Sequence, residues 1–197
     1  MSYKGALRLL GLGVAALLLG IAPAFLAPGE GYSWIVQTTS ESAAQGASGA
    51  WVARLGFVTW GLTVLWFVAD RSRLAQPVPR VALRMFGVLL MVVAACSHRH
   101  WLPSVPFDPV EDQLHSIAAS LMGFVFVLAL LALALSRSRP KGLRLLNAVG
   151  AVASIVLPAL MAVLPEWAGL LQRSMFAIAF VWFGVQIVSS ERSSHVS

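Results

Sequence analysis

The sequence predicts an all-α protein: a polytopic transmembrane bundle of six helices with both termini cytoplasmic. The chain has 197 residues, of which 58% are hydrophobic and only 11% are charged, whereas soluble domains are about one-quarter charged. Its apolar residues fall in long runs without two-residue alternation, so helices are predicted instead of the strands of a membrane barrel. Its basic residues concentrate in alternate connectors between those runs, a pattern that sets the orientation of membrane helices.

A helix needs about 20 mainly apolar residues to cross the hydrocarbon core of a membrane. Runs of this kind predict spans at about 9–26, 51–69, 81–97, 116–135, 145–164 and 168–188. No change of composition and no internal repeat divides them, so residues 1–197 are predicted to form a single transmembrane domain.

The first span follows Lys4 and Arg8 and is rich in leucine. These features also resemble a secretory signal with a small-residue cleavage site at Ala22-Pro23-Ala24, although signal cores usually run about 7 to 15 residues. Cleavage there would leave a bundle of five helices with the C-terminus still inside, so both interpretations stay open.

The later spans contain polar or helix-bending residues at a few positions. The second span carries Arg54 near its start, and the sixth carries Arg173 near its start. The fourth contains Ala119 and Gly123 in a small-xxx-small spacing, which predicts close packing against a neighbouring helix. The fifth contains Pro158, which is predicted to kink it.

Charges are distributed unequally between the two predicted sides. Connectors on one side hold Lys4, Arg8, Arg71, Arg73, Arg80, Arg84, Arg137, Arg139, Lys141, Arg144 and Arg192. The other side holds most of the carboxylates, namely Glu30, Glu41, Asp108, Glu111, Asp112 and Glu166, with tryptophans near the span ends. Because basic connectors are retained in the cytoplasm, we expect a multi-pass protein of the cell inner (plasma) membrane whose acidic connectors face outward.

Composition also excludes some classes of function. The net charge is +6 and the pI is about 10.7, but the bases are divided among short connectors and form no continuous patch with interleaved aromatics, so a nucleic-acid partner is not predicted. Cys96 is the single cysteine, which excludes an internal disulfide and a four-cysteine zinc site.

The segment HRHWLPSVPFDPVEDQLHS carries most of the groups that could do chemistry. Asp112 and His115 share a helix face if the helix has begun by Asp112. A carboxylate there could orient the imidazole and raise its basicity, which would suit catalysis by a general base. Alternatively, Asp112 favours the helix N-terminus through the dipole while His115 hydrogen-bonds to a loop carbonyl.

Three histidines in the same segment are candidate metal ligands. His98, His100 and His115 offer the imidazole nitrogens that zinc accepts, so zinc is a candidate cofactor. However, the spacing is common, and Arg99 would place a positive charge beside the cation. Contacts to lipid headgroups and structural hydrogen bonds are the alternative interpretation.

Arg173 lies inside an otherwise apolar run, where a charged group should face the bundle interior or a wet cavity with a partner. Candidate partners are Glu166, Asp112 and Glu41. Its position near the span end also permits snorkelling to the interface, and Arg54 has the same two interpretations.

The chain resembles the six-span bacterial and archaeal membrane proteins of domain-of-unknown-function family 998. The likeness lies at TTSESAAQG (38–46), GAWVARLGF (49–57), FDPVEDQLHSIAASLMGF (107–124) and GLLQRSMFAIAFVWF (169–183). It implies a six-helix bundle whose motif residues here are Ser40, Glu41, Arg54, Asp112, His115 and Arg173. It implies no reaction, and His98 and His100 lie outside the matched portion.

The leading hypothesis is an integral membrane protein with a polar pocket at its outer face that binds or modifies a lipid or another amphipathic ligand. Glu41, Arg54 and Arg173 would bind the ligand, and Asp112 with His115 would supply a base if the protein is an enzyme. The alternative is a structural or accessory subunit of a membrane complex, in which the polar cluster is a stabilising clasp. A small-solute transporter would require polar residues or broken helices near the midplane, for which Pro158 alone is slender support.

Overall fold

A computed structural model describes residues 1–27, 29, 31–70 and 76–193, the last three without their side chains. Some of the charged groups from which the orientation is predicted lie outside the described part, namely Glu30, Arg71, Arg73 and the side chain of Arg192.

The fold is a bundle of six long helices. These are α1 Tyr3–Ile21, α2 Ala50–Ala69, α3 Pro77–Ala95, α4 Pro109–Leu135, α5 Lys141–Val163 and α6 Ala168–Ser193, with short 3₁₀ segments at Ala22–Phe25, Glu41–Ala43 and Pro165–Trp167. All six are long and apolar enough to cross a membrane, and the described residues contain no strand. The predicted all-α class and the number of spans are therefore confirmed, and the protein is a multi-pass membrane protein.

Four helices, α1, α3, α4 and α5, begin at least four residues earlier than the apolar runs predict. Helix α4 starts at Pro109, because the Asp108 carboxylate accepts hydrogen bonds from the backbone of Val110 at 2.8 Å and of Glu111 at 3.3 Å. Such a cap satisfies backbone donors at a helix start. Charged first turns therefore extend the helices beyond their apolar portions.

Each helix packs against the next in the chain, and α1 also packs against α6. An aromatic cluster fills the centre: Trp60 stacks on Phe180 with ring centroids 4.2 Å apart and meets Phe86 edge-on at 5.6 Å. Helices α2 and α3 touch through glycine, since a Cβ on Gly61 would lie 2.7 Å from the carbonyl oxygen of Gly87.

Helix α5 is the least enclosed of the six. Only 17% of its most apolar stretch is buried in the bundle, compared with 56% for α2. It therefore offers most of its surface to the surroundings, which in a membrane are lipid chains.

The two ends of the bundle differ in the segments that they carry. One end carries the first loop (residues 31–49) and the second loop (96–108), and we call it the loop face. It is formed by Phe25, Ala50, Ala95, Pro109, Val163 and Ala168. The opposite end, formed by Tyr3, Ala69, Pro77, Leu135 and Lys141, is called the basic face. Which of the two faces the cytoplasm stays a prediction.

Candidate functional site

Arg173 fastens the first loop to α6. Its Nη1 donates to the carbonyl oxygens of Trp34 at 2.7 Å and Gln37 at 2.8 Å, and its Nη2 donates to the Tyr32 hydroxyl. The guanidinium also lies over the Trp34 ring, 4.9 Å from its centroid. A planar group with several donors can hold several acceptors of one loop at once, so Arg173 fixes the loop above the start of α6.

The partners that the sequence suggested for Arg173 are not the ones it has. The described residues contain no ion pair between Arg173 and Glu166, Asp112 or Glu41. Arg173 binds backbone carbonyl oxygens of the first loop instead, because these acceptors also need hydrogen-bond donors.

The first loop also caps the N-terminus of α6. The backbone N–H groups of Gly169 and Leu170 donate to the carbonyl oxygens of Val36 and Ile35, each at 3.1 Å. Such first-turn donors have no partner within their own helix. A Cβ on Gly169 would lie 2.3 Å from the Gln37 carbonyl oxygen, so the approach requires glycine.

A glutamine beside Arg173 adds a third attachment. The Gln172 side-chain oxygen accepts a hydrogen bond from the backbone N–H of Thr39 at 2.7 Å. Sequence reasoning overlooked Gln172, although an amide next to an arginine in an apolar helix was a usable signal.

Tyr32 and Glu41 hold the first loop together from within. The Tyr32 hydroxyl donates to the carbonyl oxygen of Thr38 at 2.8 Å, and burial raises the pKa of this phenol although the nearby Arg173 charge opposes the rise. The Glu41 carboxylate accepts from the backbone N–H and the hydroxyl of Thr38 at 2.6 and 2.8 Å. This arrangement resembles a capping box, so Glu41 serves its own segment.

Arg54 makes a similar attachment from α2. Its Nε donates to the carbonyl oxygen of Ala43 at 3.3 Å, and its Nη2 donates to that of Ala44 at 3.5 Å. Arg54 and Arg173 thus hold the first loop from two different helices.

The acidic start of α4 holds the second loop. Glu111 accepts from the backbone N–H of Ser97 at 2.6 Å, and Asp112 accepts from that of Arg99 at 2.8 Å. Gln45 joins this region to the first loop, because its side chain accepts from the N–H of Asp108 at 2.7 Å and donates to the carbonyl of Ser97 at 2.9 Å. The two loops therefore form one connected cover, and Gln45 was not predicted.

His115 is almost fully buried below this cover. Its Nδ1 lies 2.7 Å from the Cys96 carbonyl oxygen, so that nitrogen carries the hydrogen, because a carbonyl only accepts. This contact matches the loop-carbonyl alternative. Asp112 lies instead near His98, with 3.7 Å between its Oδ1 and the His98 Nε2. The catalytic role of Asp112 and His115 stays a prediction.

The candidate zinc ligands do not converge. His100 Nδ1 accepts from the backbone N–H of Leu102 at 3.0 Å, and its ring stacks on Trp101 with centroids 3.9 Å apart. The rings of His98 and His115 meet edge-on at 5.5 Å. No group of three or more His, Cys, Asp or Glu in the described ranges is placed to hold a metal. Zinc binding thus stays a prediction that this geometry does not favour.

Two cavities are lined in part by the first loop, one by Glu41 and the other by Ser40. The first, the loop cavity, has about 480 Å³ and is lined by Gln37, Glu41, His98, Arg99, His100 and Trp101 among others. The second, the interhelical cavity, has about 600 Å³ and is lined mainly by α4, α5 and α6, including Ala119, Gly123, Val127, Ser154, Pro158 and Met175. Ser40 and Gln172 also line this second cavity. The predicted site residues therefore lie at the loop face. Some of them hold the loops in place, and others line the loop cavity.

Of the two small residues predicted to admit a neighbouring helix, Gly123 does not pack as predicted. A Cβ on Gly123 would meet nothing within 4 Å, and both Ala119 and Gly123 line the interhelical cavity. At Gly123 the missing side chain leaves space instead of admitting a neighbouring helix, whereas Ala119 also packs against the hydrophobic core.

Comparison with known proteins places the chain by family alone. No curated protein matches it, and no solved structure matches it. A family model described as "Protein of unknown function (DUF998)" matches residues 10–189, which is most of the chain. The chain therefore belongs to the DUF998 family, as its resemblance indicated.

Proposed function

We propose that this protein binds the hydrocarbon chain of a membrane lipid or similar amphipathic molecule in the interhelical cavity, with the polar end of that molecule toward the loop face. The observation that carries the proposal is the composition of the cavity wall. Apolar side chains of α4, α5 and α6 form most of it, while Ser40 and Gln172 supply polar groups beside the first loop. A volume of about 600 Å³ lies within the usual range for ligand pockets.

The shapes of α4 and α5 support the proposal. Ala119 and Gly123 remove side-chain volume from α4 where it lines the cavity. Pro158 has no N–H, so the carbonyl of Ser154 lacks its helical donor at the same cavity. The hydrocarbon chain of an amphipathic ligand could then contact the apolar walls. Its polar groups could bind backbone carbonyl or hydroxyl oxygens at a few points.

We place the protein in the cell inner (plasma) membrane with the loop face outward. Support comes from the bases at the other end, Arg80, Arg137, Arg139, Lys141 and Arg144 among them, because basic connectors remain cytoplasmic. The interhelical cavity would then open toward the outer leaflet, where lipids are the available partners.

A cavity-filling variant tests this function. Gly123→Leu places a side chain in the interhelical cavity, whereas Gly184→Leu makes the same change on α6 where a Cβ would also meet nothing within 4 Å. Each variant is purified in mild detergent, and retained phospholipid is counted by native mass spectrometry. We expect Gly123→Leu to retain about tenfold less lipid than the wild type and Gly184→Leu to retain the normal amount. Equal retention by both variants contradicts the proposal.

A second candidate is an accessory subunit whose rigid cover serves assembly. The observation that favours it is that Arg54, Asp112 and Arg173 all bind loop backbone, so the cluster acts as a clasp. Under this function, Arg173→Ala and Asp112→Ala lower the melting temperature and release a co-purified membrane partner, while Gly123→Leu changes neither lipid retention nor partner.

A further inference from the structure

A third cavity lies at the basic face, far along the helices from the two cavities near the loops. It has about 190 Å³ and lies between the start of α5 and the end of α6. Its lining includes Ser138, Arg139, Pro140 and Gln186. A water molecule takes about 30 Å³ in the liquid, so the space accommodates a small polyatomic ion with some water.

Among the side chains that the structure describes, Arg139 is the only charged one in this lining. It is half-buried, and its Nη1 donates to the side-chain oxygen of Gln186 at 2.7 Å. In the part of the chain that the structure describes, no carboxylate forms an ion pair with it, and burial lowers its pKa. A guanidinium has five N–H donors, so one neutral acceptor leaves most of its capacity for a ligand.

A buried network holds Gln186 in the orientation that receives Arg139. The Gln186 Nε2 donates to the Asn147 Oδ1 at 3.3 Å, and the Trp182 Nε1 donates to the same oxygen at 2.8 Å. Because the amide nitrogen of Gln186 is committed to Asn147, its oxygen faces Arg139. The guanidinium is therefore positioned before any ligand arrives, which reduces the entropy lost on binding.

The beginning of α5 adds further attraction for negative charge. Helix α5 starts at Lys141 after Pro140, its N-cap residue forms no side-chain cap, and its first turn contains no acidic residue. The N–H groups at a helix start point outward, and the helix dipole favours an anion there. The helix start and the half-buried Arg139 are two independent features at the same cavity.

We propose that this cavity binds a phosphate group. Arg139 would hold two phosphate oxygens with its planar fork, and the first-turn N–H groups of α5 and the Ser138 hydroxyl would complete the contacts. The phosphate could belong to an anionic lipid of the adjoining leaflet or to a free phosphate in solution, and the chemistry of recognition is the same. The inference is independent of the interhelical cavity, which lies toward the other end of the bundle.

The test compares two arginines that lie two positions apart in the sequence but differ in burial. Arg139→Gln removes the positioned guanidinium, and Arg137→Gln removes an exposed one with the same change of net charge. In one arm, each protein is placed in nanodiscs of phosphatidylglycerol and phosphatidylcholine with identical acyl chains, and bound phosphatidylglycerol is counted by native mass spectrometry. In the other arm, inorganic phosphate is titrated against detergent-solubilised protein at constant ionic strength, and the melting temperature is followed.

We expect Arg139→Gln to weaken binding of one probe by about tenfold or more, the usual effect of removing a charged donor, while Arg137→Gln matches the wild type. Loss of phosphatidylglycerol identifies a lipid phosphate, and loss of the response to inorganic phosphate identifies a soluble one. Ser138→Asp gives a second variant that leaves the Gln186 contact in place, and it should repel either probe. If Arg139→Gln and Ser138→Asp both match Arg137→Gln in both arms, the phosphate site does not exist.

Discussion

Arg173 donates a hydrogen bond to the carbonyl oxygen of Gln37 at 2.8 Å, although the two residues are 136 positions apart in the chain. This contact joins the sixth helix to the first loop. Because the two loops are joined in turn through Gln45, the position of the whole cover depends on attachments of this kind.

Arg173→Ala should destabilise the protein by about 2 to 3 kcal/mol, because two carbonyl acceptors and the Tyr32 hydroxyl lose a charged donor. Arg173→Lys should fall between the wild type and the alanine variant, since an ammonium keeps the charge but lacks the planar fork. Thermal unfolding in detergent measures both. Arg99→Ala is the control, as Arg99 is exposed and its described hydrogen bonds involve only its backbone N–H and carbonyl oxygen. Equal losses of stability at positions 99 and 173 would contradict the expected role of Arg173.

Gly169→Ala should also destabilise the protein, by about 1 to 3 kcal/mol, which is the usual cost of overpacking. The new methyl group would lie 2.3 Å from the Gln37 carbonyl oxygen and 2.7 Å from that of Trp34, and both belong to backbone. Gly184→Ala is matched in helix and in chemistry but meets nothing within 4 Å. It should be neutral or slightly stabilising, because alanine favours a helix over glycine. A larger loss at Gly184 than at Gly169 would sink this account of the contact.

The helices were predictable because an apolar run is a local property of the chain. The predicted second span, 51–69, differs by one residue at its start from α2 Ala50–Ala69. The fourth span was predicted to begin too late, since Glu111 and Asp112 ended the uncharged run although they suit the first turn of a helix.

The partners of the site residues were not predictable in the same way. The sequence indicated that Arg173 needs a partner, but its partners are carbonyl oxygens, which every residue carries and no pattern of side-chain types reveals. Gly123 illustrates a second limit. A missing side chain can admit a neighbouring helix or leave a cavity, and the choice depends on where α5 and α6 lie.

Tyr32→Phe should reduce stability by about 1 to 2 kcal/mol at pH 8, because Thr38 loses a donor and Arg173 loses an acceptor. The pKa of Tyr32 is raised by folding above its ordinary value of 10.0, chiefly by burial. Because this pKa is raised, the contribution of Tyr32 to stability is fully present below about pH 10. It is lost as the pH rises through the pKa that Tyr32 has in the folded protein. The wild type should therefore lose more stability than Tyr32→Phe between pH 9 and pH 11. The extra loss in the free energy of unfolding should scale with the rise in the pKa of Tyr32.

Tyr3→Phe is the control for this pH dependence, because Tyr3 is 78% exposed and is the other tyrosine of the chain. Melting curves of the three proteins across the same pH range provide the measurement. A wild-type curve that runs parallel to that of Tyr32→Phe at every pH would contradict the assignment of the buried phenol.

Gln45→Ala should expose Cys96, which is half-buried at the end of α3 and is the single cysteine of the chain. The variant removes the hydrogen bonds by which Gln45 holds Ser97 and Asp108. Each neutral hydrogen bond contributes about 1 kcal/mol, so the loss of these bonds should accelerate local opening, and the labelling of Cys96 by a maleimide, by about tenfold or more. Rates are read by mass spectrometry on purified protein.

Gln113→Ala is the matched control for Cys96 labelling, since Gln113 is exposed on α4 and has no described side-chain hydrogen bond. It should label at the wild-type rate; acceleration equal to that of Gln45→Ala would mean that Gln45 does not join the loops. The same reagent tests orientation, because a membrane-impermeant maleimide reaches the loop face in intact cells only if that face lies outside. Labelling of Gln45→Ala that appears only after the cells are opened would place Cys96 in the cytoplasm and reverse the predicted topology.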